Sequence, residues 1–243
     1  MTAHQTVPPA TVQCDYCVVR HKAICAALSE QELSDFNRIA RQRKIPAGRT
    51  ITNTGDAAIA FANIISGVIK LTKTLPDGRQ QIVGLQFPPD FLGRIFAEES
   101  PYNAEAATDV VLCAFPRDGF EAMLRRYPGL EHRLFQNTLD ELDAAREWML
   151  LLGRKSAREK VATFLHMIAR RAGALGCSHV PDMNQARFTL PLTRSDTADY
   201  LGLTLETVSR QITNLKKNGI IELTDTREIV VPDMAALEEA AGE

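Results

Sequence analysis

Thr193-Arg-Ser-Asp-Thr-Ala-Asp-Tyr-Leu-Gly-Leu-Thr-Leu-Glu-Thr-Val-Ser-Arg-Gln-Ile-Thr-Asn-Leu-Lys-Lys-Asn-Gly219 is the stretch on which the reading of this 243-residue chain turns. Ala198 is small where two helices would cross, and Gly202, four residues on, suits a sharp turn that needs positive φ. Val208 lies six residues further and would pack back on Ala198, while Thr204 is a natural N-cap for the second helix. Within that helix Leu205, Val208, Ile212 and Leu215 form one apolar stripe, which leaves Glu206, Ser209, Arg210 and Thr213 on the opposite face. This is how a recognition helix is built, with bond-forming side chains near the N-terminus of an exposed helix. Arg210 can make two hydrogen bonds to a guanine edge, Glu206 can accept from a cytosine amino group, and Ser209 can take a base edge or a phosphate. Lys216 and Lys217 would sit nearer the DNA backbone. A helix pair buried in a core would share the stripe but would not need the capped turn or the wing that follows.

That wing is expected from Ile220–Leu223 and Ile229–Val231, joined across Thr224–Glu228, within a segment (Phe188–Glu243) expected to hold two short helices and a β-rich ending. Upstream, Arg154–Arg171 reads as a helix with six basic residues against Glu159 alone. A formal net charge of -2 excludes a protein that coats nucleic acid by bulk charge, yet permits a reader with one basic face. Ala172–Gln185 reads as a loop. Gly129–Gly153 is a long helix in which Phe135, Leu142 and Met149 recur every seven residues, with Thr138, Ala145 and Leu152 between them. The seam Phe135, Leu142, Ala145, Met149 and Leu152 is expected to join two copies of the chain; a helix packing on its own barrel is the other reading. Asp140, Glu141, Asp143 and Glu147 on its flank would keep that homodimer weak.

From Arg43 to Phe120 short runs of Val, Ile, Thr and Phe alternate with Gly48, Gly55, Gly67, Gly78, Gly84 and Gly93, the spacing of an antiparallel barrel or jelly roll. Pro76-Asp-Gly78 marks a hairpin tip, and Ser29-Glu-Gln-Glu32 a capping box opening a helix with Leu33, Phe36 and Ile39 inward. Residues 1–13 read as a mobile polar arm interrupted by Pro8 and Pro9, without the pattern of a secretory signal. No apolar run is long enough to span a membrane, so a cytoplasmic protein is expected. No nucleophile–base pair, Walker loop or dinucleotide fingerprint points to an enzyme.

Of five cysteines, three fall at Cys14, Cys17 and Cys25, and Cys113 lies on an expected barrel strand. An odd number without a signal peptide argues against a disulfide framework. Four thiolates at irregular spacing suit an iron–sulfur cluster; one Cys-x2-Cys pair also admits zinc, and free thiols remain a third reading. His21 and His4 are rival ligands by position. Cys177 has no partner in sequence.

The cysteine set, Leu142-Asp-Ala-Ala-Arg-Glu-Trp-Met-Leu-Leu-Leu-Gly153, Thr193-Arg194 and Tyr200–Arg210 together resemble the CRP/FNR superfamily of bacterial regulators over nearly the whole chain. Within it they are similar to the FNR branch and its FnrL-type oxygen-responsive regulators of alphaproteobacteria. The resemblance implies an α+β architecture in four parts. A cysteine-rich cluster-binding segment spans 1–28, and a β-roll of the cyclic-nucleotide-binding type spans 29–128. A dimerisation helix at 129–153 and a winged helix-turn-helix at 154–243 complete the chain. The resemblance also implies one [4Fe-4S] cluster per subunit on Cys14, Cys17, Cys25 and Cys113, and double-stranded DNA as partner through an inverted repeat of the TTGAT-N4-ATCAA kind. Arg194, Thr204, Glu206, Ser209, Arg210 and Thr213 are the expected DNA-binding set. RNA polymerase is expected to touch the Pro76-Asp-Gly-Arg79 turn. Two departures stand out. Seven residues, Val18–Ile24, separate the second and third cysteines, against five in the enterobacterial pattern. Cyclic AMP is not expected, because Phe91–Phe96 and Asn103-Ala-Glu-Ala106 lack the family's phosphate-loop glutamate and its following Arg-Ser or Arg-Thr pair.

Overall fold

The computed structural model describes residues 14–174 and 184–242; the expected N-terminal arm, His4 and Cys177 lie outside them. The chain divides into two compact units. One runs to Lys73 and resumes from Val83 to Glu141, and the other comprises Thr74–Ile82 and the chain from Leu142 onward.

In the first half of the chain eight strands form a roll. They are β1 (Arg41–Ile45), β2 (Thr50–Thr52), β3 (Ala60–Ser66), β4 (Ile69–Thr74), β5 (Gln80–Gln86), β6 (Phe91–Leu92), β7 (Asn103–Ala106) and β8 (Val110–Pro116). They make two four-stranded sheets, ordered β1-β8-β3-β6 and β2-β7-β4-β5. Alternation along β3 and β8 sorts their side chains onto two faces. Ala62, Ile64, Leu112 and Ala114 fill the roll with Ile69, Leu71, Ala104 and Ala106 of the facing sheet. Phe61, Phe115 and Cys113 point the other way, under helices α1 (Glu30–Ile39) and α2 (Arg117–Arg126). Phe120 of α2 is fully buried there, its ring 5.5 Å from Phe61, 5.3 Å from Phe91 and 5.6 Å from Phe115.

The capping box at Ser29 and Glu32 is present, with Leu33 and Phe36 of α1 buried and Ile39 half-buried. The hairpin tip closes at Gly78, whose N–H donates to Leu75 O at 2.9 Å. Gly84 departs from the expectation of a turn: it lies inside β5, its missing Cβ making room for Leu71. Sequence patterning did not indicate α2 either, since Arg117–Arg126 follows the β texture with no side-chain N-cap.

The long helix, α3 (Pro128–Arg154), has 27 residues. The second unit continues with α4 (Ala157–Ala174), β9 (Ala186–Thr189), α5 (Arg194–Leu201), α6 (Leu205–Lys217), β10 (Glu222–Leu223), β11 (Glu228–Val231) and α7 (Met234–Ala241). The wing is a three-stranded sheet, β10-β11-β9, rather than a bare hairpin. The expected β-rich ending is corrected as well, because the chain closes on α7. Asp233 caps this helix by accepting from Ala235 N, its alanines favour helix, and Leu237 is fully buried. Among the described residues no helix is long and apolar enough to cross a membrane.

Candidate nucleic-acid interface and cysteine cavity

Helices α5 and α6 meet as the sequence demands. Thr193 caps α5 in a capping box with Asp196, Gly202 takes the left-handed conformation at φ 61°, and Thr204 Oγ1 accepts from Thr207 N at 3.2 Å. Ala198, Val208, Ile212 and Leu215 are buried, so α6 is pinned by one face. Leu205, expected in the same stripe, is instead 45% exposed at the first position of α6. Tyr200 of α5 stacks on Trp148 of α3 with ring centroids 3.8 Å apart.

Glu206, Ser209, Arg210 and Thr213 all stand exposed on the outer face of α6. Glu206 is held below the usual carboxylate range by its own backbone N–H, then by the Thr204 hydroxyl, so it presents an ionised acceptor. Among the described residues Arg210 makes one long contact, from Nη2 to Thr207 Oγ1 at 3.5 Å, and it stands exposed. Thr213 Oγ1 donates back to Ser209 O at 2.9 Å. Arg194 differs from its five companions. Its guanidinium is half-buried against the wing turn, with Nη2 3.4 Å from Thr226 O and Nη1 buried without a partner among the described residues. Thr204 serves α6 as its cap.

On α3, Phe135, Leu142 and Met149 are exposed, and so is Ala145. Leu139 and Leu150 join this strip, which the heptad reading left out. Leu152 is half-buried, with Cδ2 within 3.8 Å of the space a Gly202 side chain would take. Of the acidic flank, Asp143 is paired with Arg146 at 2.7 Å.

The four cysteines converge. Cys14 opens a short helical turn, Cys14–Tyr16, and Cys25 sits in a second, Ile24–Ala27. Val19, Ala23 and Ile24, from the seven-residue spacer, are buried in the core that contains Phe36, Phe115 and Phe120, so the longer loop is folded onto the sheet. Cys14, Cys17, Cys25 and Cys113 line one small cavity with Val19, Ala23, Phe36 and Asn63. His21 is exposed and does not line it. None of the four is in a disulfide among the described residues, and all but Cys17 are buried. Burial, then the neighbouring Cys17 and Cys14, pushes the Cys25 thiol up to about 12, and burial raises Cys113 as well. A metal group binding here must displace thiol protons.

Among the described residues no group of three or more His, Cys, Asp or Glu is drawn together as a single metal ion would require. Arg20 and Ile65 complete the lining of the cavity, and four thiolates are a donor set that would suit an iron–sulfur cluster. Asn63, which sequence reasoning missed, adds a buried Oδ1 without a partner among the described residues. Its only sequence signal is a polar residue inside Phe61-Ala-Asn-Ile-Ile65.

A β-roll, a long exposed helix and a winged helix-turn-helix define a DNA-binding transcription regulator. The model of the Crp-like helix-turn-helix domain matches residues 159–240, and that of the cyclic nucleotide-binding domain residues 42–127. The chain is 50% identical over 227 residues to a "Probable transcriptional activator" of Rhizobium leguminosarum bv. viciae, covering 93% of this chain and 92% of that one. It is 47% identical to the "Transcriptional activator protein FnrL" of Cereibacter sphaeroides, covering 100% of this chain and 97% of that one. The structure of FixK2 from Bradyrhizobium japonicum superposes with a TM-score of 0.73 at 32% identity, over 83% of this chain and 97% of that one. The chain belongs to the CRP/FNR family of transcriptional activators, and its similarity to FnrL and FixK places it on the FNR branch.

Proposed function

We propose that this activator is a cytoplasmic oxygen-responsive regulator. It binds an inverted DNA repeat of the TTGAT-N4-ATCAA kind as a homodimer, and controls anaerobic or microaerobic genes. The observation that carries the reading is the convergence of Cys14, Cys17, Cys25 and Cys113, from opposite ends of the first unit, on one enclosed cavity. These four would hold a [4Fe-4S] cluster, which when bound supplies an oxygen-labile tie between the N-terminal loop and β8.

The remaining work falls to the chain. Leu130 of α3 is fully buried in the core that also takes in Cys14, Cys25 and Ile24, and Leu134 packs against it. Arg133 Nη2 donates to Lys22 O at 3.1 Å, fastening the cysteine loop to α3. An ordered loop therefore fixes the first turns of the helix whose later turns carry the exposed strip. In the dimer, Phe135, Leu142, Ala145 and Met149 pair across the two-fold axis, and two copies of Glu206, Ser209 and Arg210 face half-sites one helical turn apart. The exposed turn at Asp77–Arg79, closed by a 2.8 Å ion pair, is the surface offered to RNA polymerase. Cyclic AMP has no place in this reading: Glu105, the one carboxylate of the 103–106 stretch, is engaged with Lys70 at 3.0 Å.

The test is anaerobic purification with iron, sulfide, zinc and absorption measurements before and after air, beside anisotropy on the repeat. About four iron and four sulfide per chain, a visible band that bleaches in air and loss of DNA affinity with it are expected. Zinc, or no metal after anaerobic reconstitution, overturns the oxygen reading and leaves a regulator that senses through zinc or thiols.

A further inference from the structure

We infer that Asn63 is a positioning residue of the cysteine cavity: its side-chain amide donates a hydrogen bond to the thiolate of Cys113 and thereby tunes the group held there. The inference rests on the cluster reading above. Its geometric basis is independent of that reading. Asn63 of β3 pairs in register with Cys113 of β8, and directly opposed residues of antiparallel strands project to the same face. The neighbouring pair, Phe61 with Phe115, lies on this face too, and all four residues point away from the interior of the roll. Asn63 is 2% exposed and lines the cavity beside the four cysteines.

A carboxamide in this place is chemically out of character. Around the cavity are Phe36, Val19, Ala23, Ile65, Arg20 and the thiols, and Asn63 Oδ1 meets no hydrogen-bond partner among the described residues. Leaving a buried amide unpaired is costly, so such groups ask for a partner. Thiols are poor partners, because the S–H is a weak donor and the sulfur a weak acceptor. A thiolate that ligates iron is a much better acceptor, and a half-turn of the carboxamide puts Nδ2–H where the unpartnered Oδ1 lies. Hydrogen bonds to the sulfurs are among the terms that set the reduction potential of an iron–sulfur cluster. A donor at Asn63 raises that potential, and so slows oxidative loss. Aspartate there would bring a like charge to the thiolate, and leucine would bring nothing.

The test compares the full-length parent with Asn63→Leu and Asn63→Ala, each reconstituted anaerobically and analysed for iron and sulfide. Both variants are expected to load to the parent's iron content. They should show a lower midpoint potential and a higher Fe–S(Cys) stretching frequency by resonance Raman, and should lose the part of the parent's deuterium shift in that band that arises from Asn63. In air their visible band should bleach several-fold to about tenfold faster, the equivalent of one ordinary intramolecular hydrogen bond. Loaded variants with the parent's potential, Raman band and deuterium shift overturn the inference while leaving the cluster reading intact. Loss of iron from both variants, with the parent loaded, makes Asn63 a packing residue and overturns it as well. A parent that takes up no iron overturns both.

Discussion

Arg210→Ala separates base reading from every other part of DNA binding. The guanidinium stands exposed on α6 and reaches Thr207 Oγ1 only at 3.5 Å, so its removal leaves no buried group unpaired. Unfolding free energy is therefore expected to stay within about 0.5 kcal/mol of the parent. A bidentate contact to guanine contributes about 1–3 kcal/mol of discrimination. A two-fold dimer makes it twice, so the variant should lose about 2–6 kcal/mol on the inverted repeat, a factor of about 30 to more than 10⁴ in affinity. On a scrambled duplex the loss should be slight. The assay is fluorescence anisotropy with both duplexes across a range of salt concentrations, using anaerobically prepared protein. Lys216→Ala is the control: taking a phosphate-binding charge from the far end of α6 should weaken both duplexes alike and flatten the salt dependence. If Arg210→Ala keeps the parent's ratio of repeat to scrambled affinity, the assignment of α6 as the base-reading helix through Arg210 is wrong.

Asp35 is held below its ordinary value first by the Tyr127 hydroxyl, which donates to it at 2.6 Å, and then by Arg126 and Arg38. A lowered carboxylate stabilises the fold above its unfolded value and loses that contribution as pH falls through the folded one. The gap in unfolding midpoint between the parent and Asp35→Asn should hold from neutral pH to about 5 and close below about 4; a gap that ignores pH would reject this linkage. Gly202→Ala should cost about 1–2 kcal/mol, the penalty of a side chain at φ 61°, because the new Cβ meets only Leu152 Cδ2 at an ordinary 3.8 Å. Gly67→Ala should be far worse at a similar φ, since its Cβ would lie 2.2 Å from Asp109 O, and thermal unfolding of the two variants ranks them. Arg133→Met keeps the apolar stem but removes the bond to Lys22 O, so limited proteolysis of the cysteine loop should quicken while α3 stays intact; unchanged cleavage would show that the bond does not hold the loop.

The helix-turn-helix was legible because each of its signals is local. A cap, a left-handed glycine and a stripe with helical spacing name their own conformations, and Thr204, Gly202 and Val208 occupy them as read. The capping box at Ser29 and the hairpin at Gly78 were legible for the same reason. What local signals cannot carry is partnership across the sheet. β9 joins the wing only because Phe188 finds Ile229 opposite it, and no periodicity in four residues announces that. Arg194 follows the same logic: its position at the start of α5 suggested DNA, and sequence gave no sign of its contact with the wing turn at Thr226. Leu152 likewise has heptad spacing, yet the turn at Gly202 takes part of its surface. The cysteines lay between these cases. Their number and grouping pointed to one centre, but the role of the seven-residue spacer emerged only once Val19, Ala23 and Ile24 were seen to anchor it.

That anchoring bears on how a signal at the cavity can reach the recognition helices. Leu130, Arg133 and Leu134 face the cysteine loop and its core, and the exposed strip begins at the very next residue, Phe135. Both faces belong to one uninterrupted helix, α3. Further along the same helix, Trp148 stacks on Tyr200, directly before the turn that sets α6. A coupling of only about 1–3 kcal/mol would change DNA occupancy 5- to 150-fold. One hydrogen bond at Arg133 and a partial loss of packing at Leu130 are of that size together. The weak seam of the proposed dimer is then an asset: an interface near its dissociation point responds to a coupling this small, whereas a tight one would stay assembled whether or not the loop is tied down.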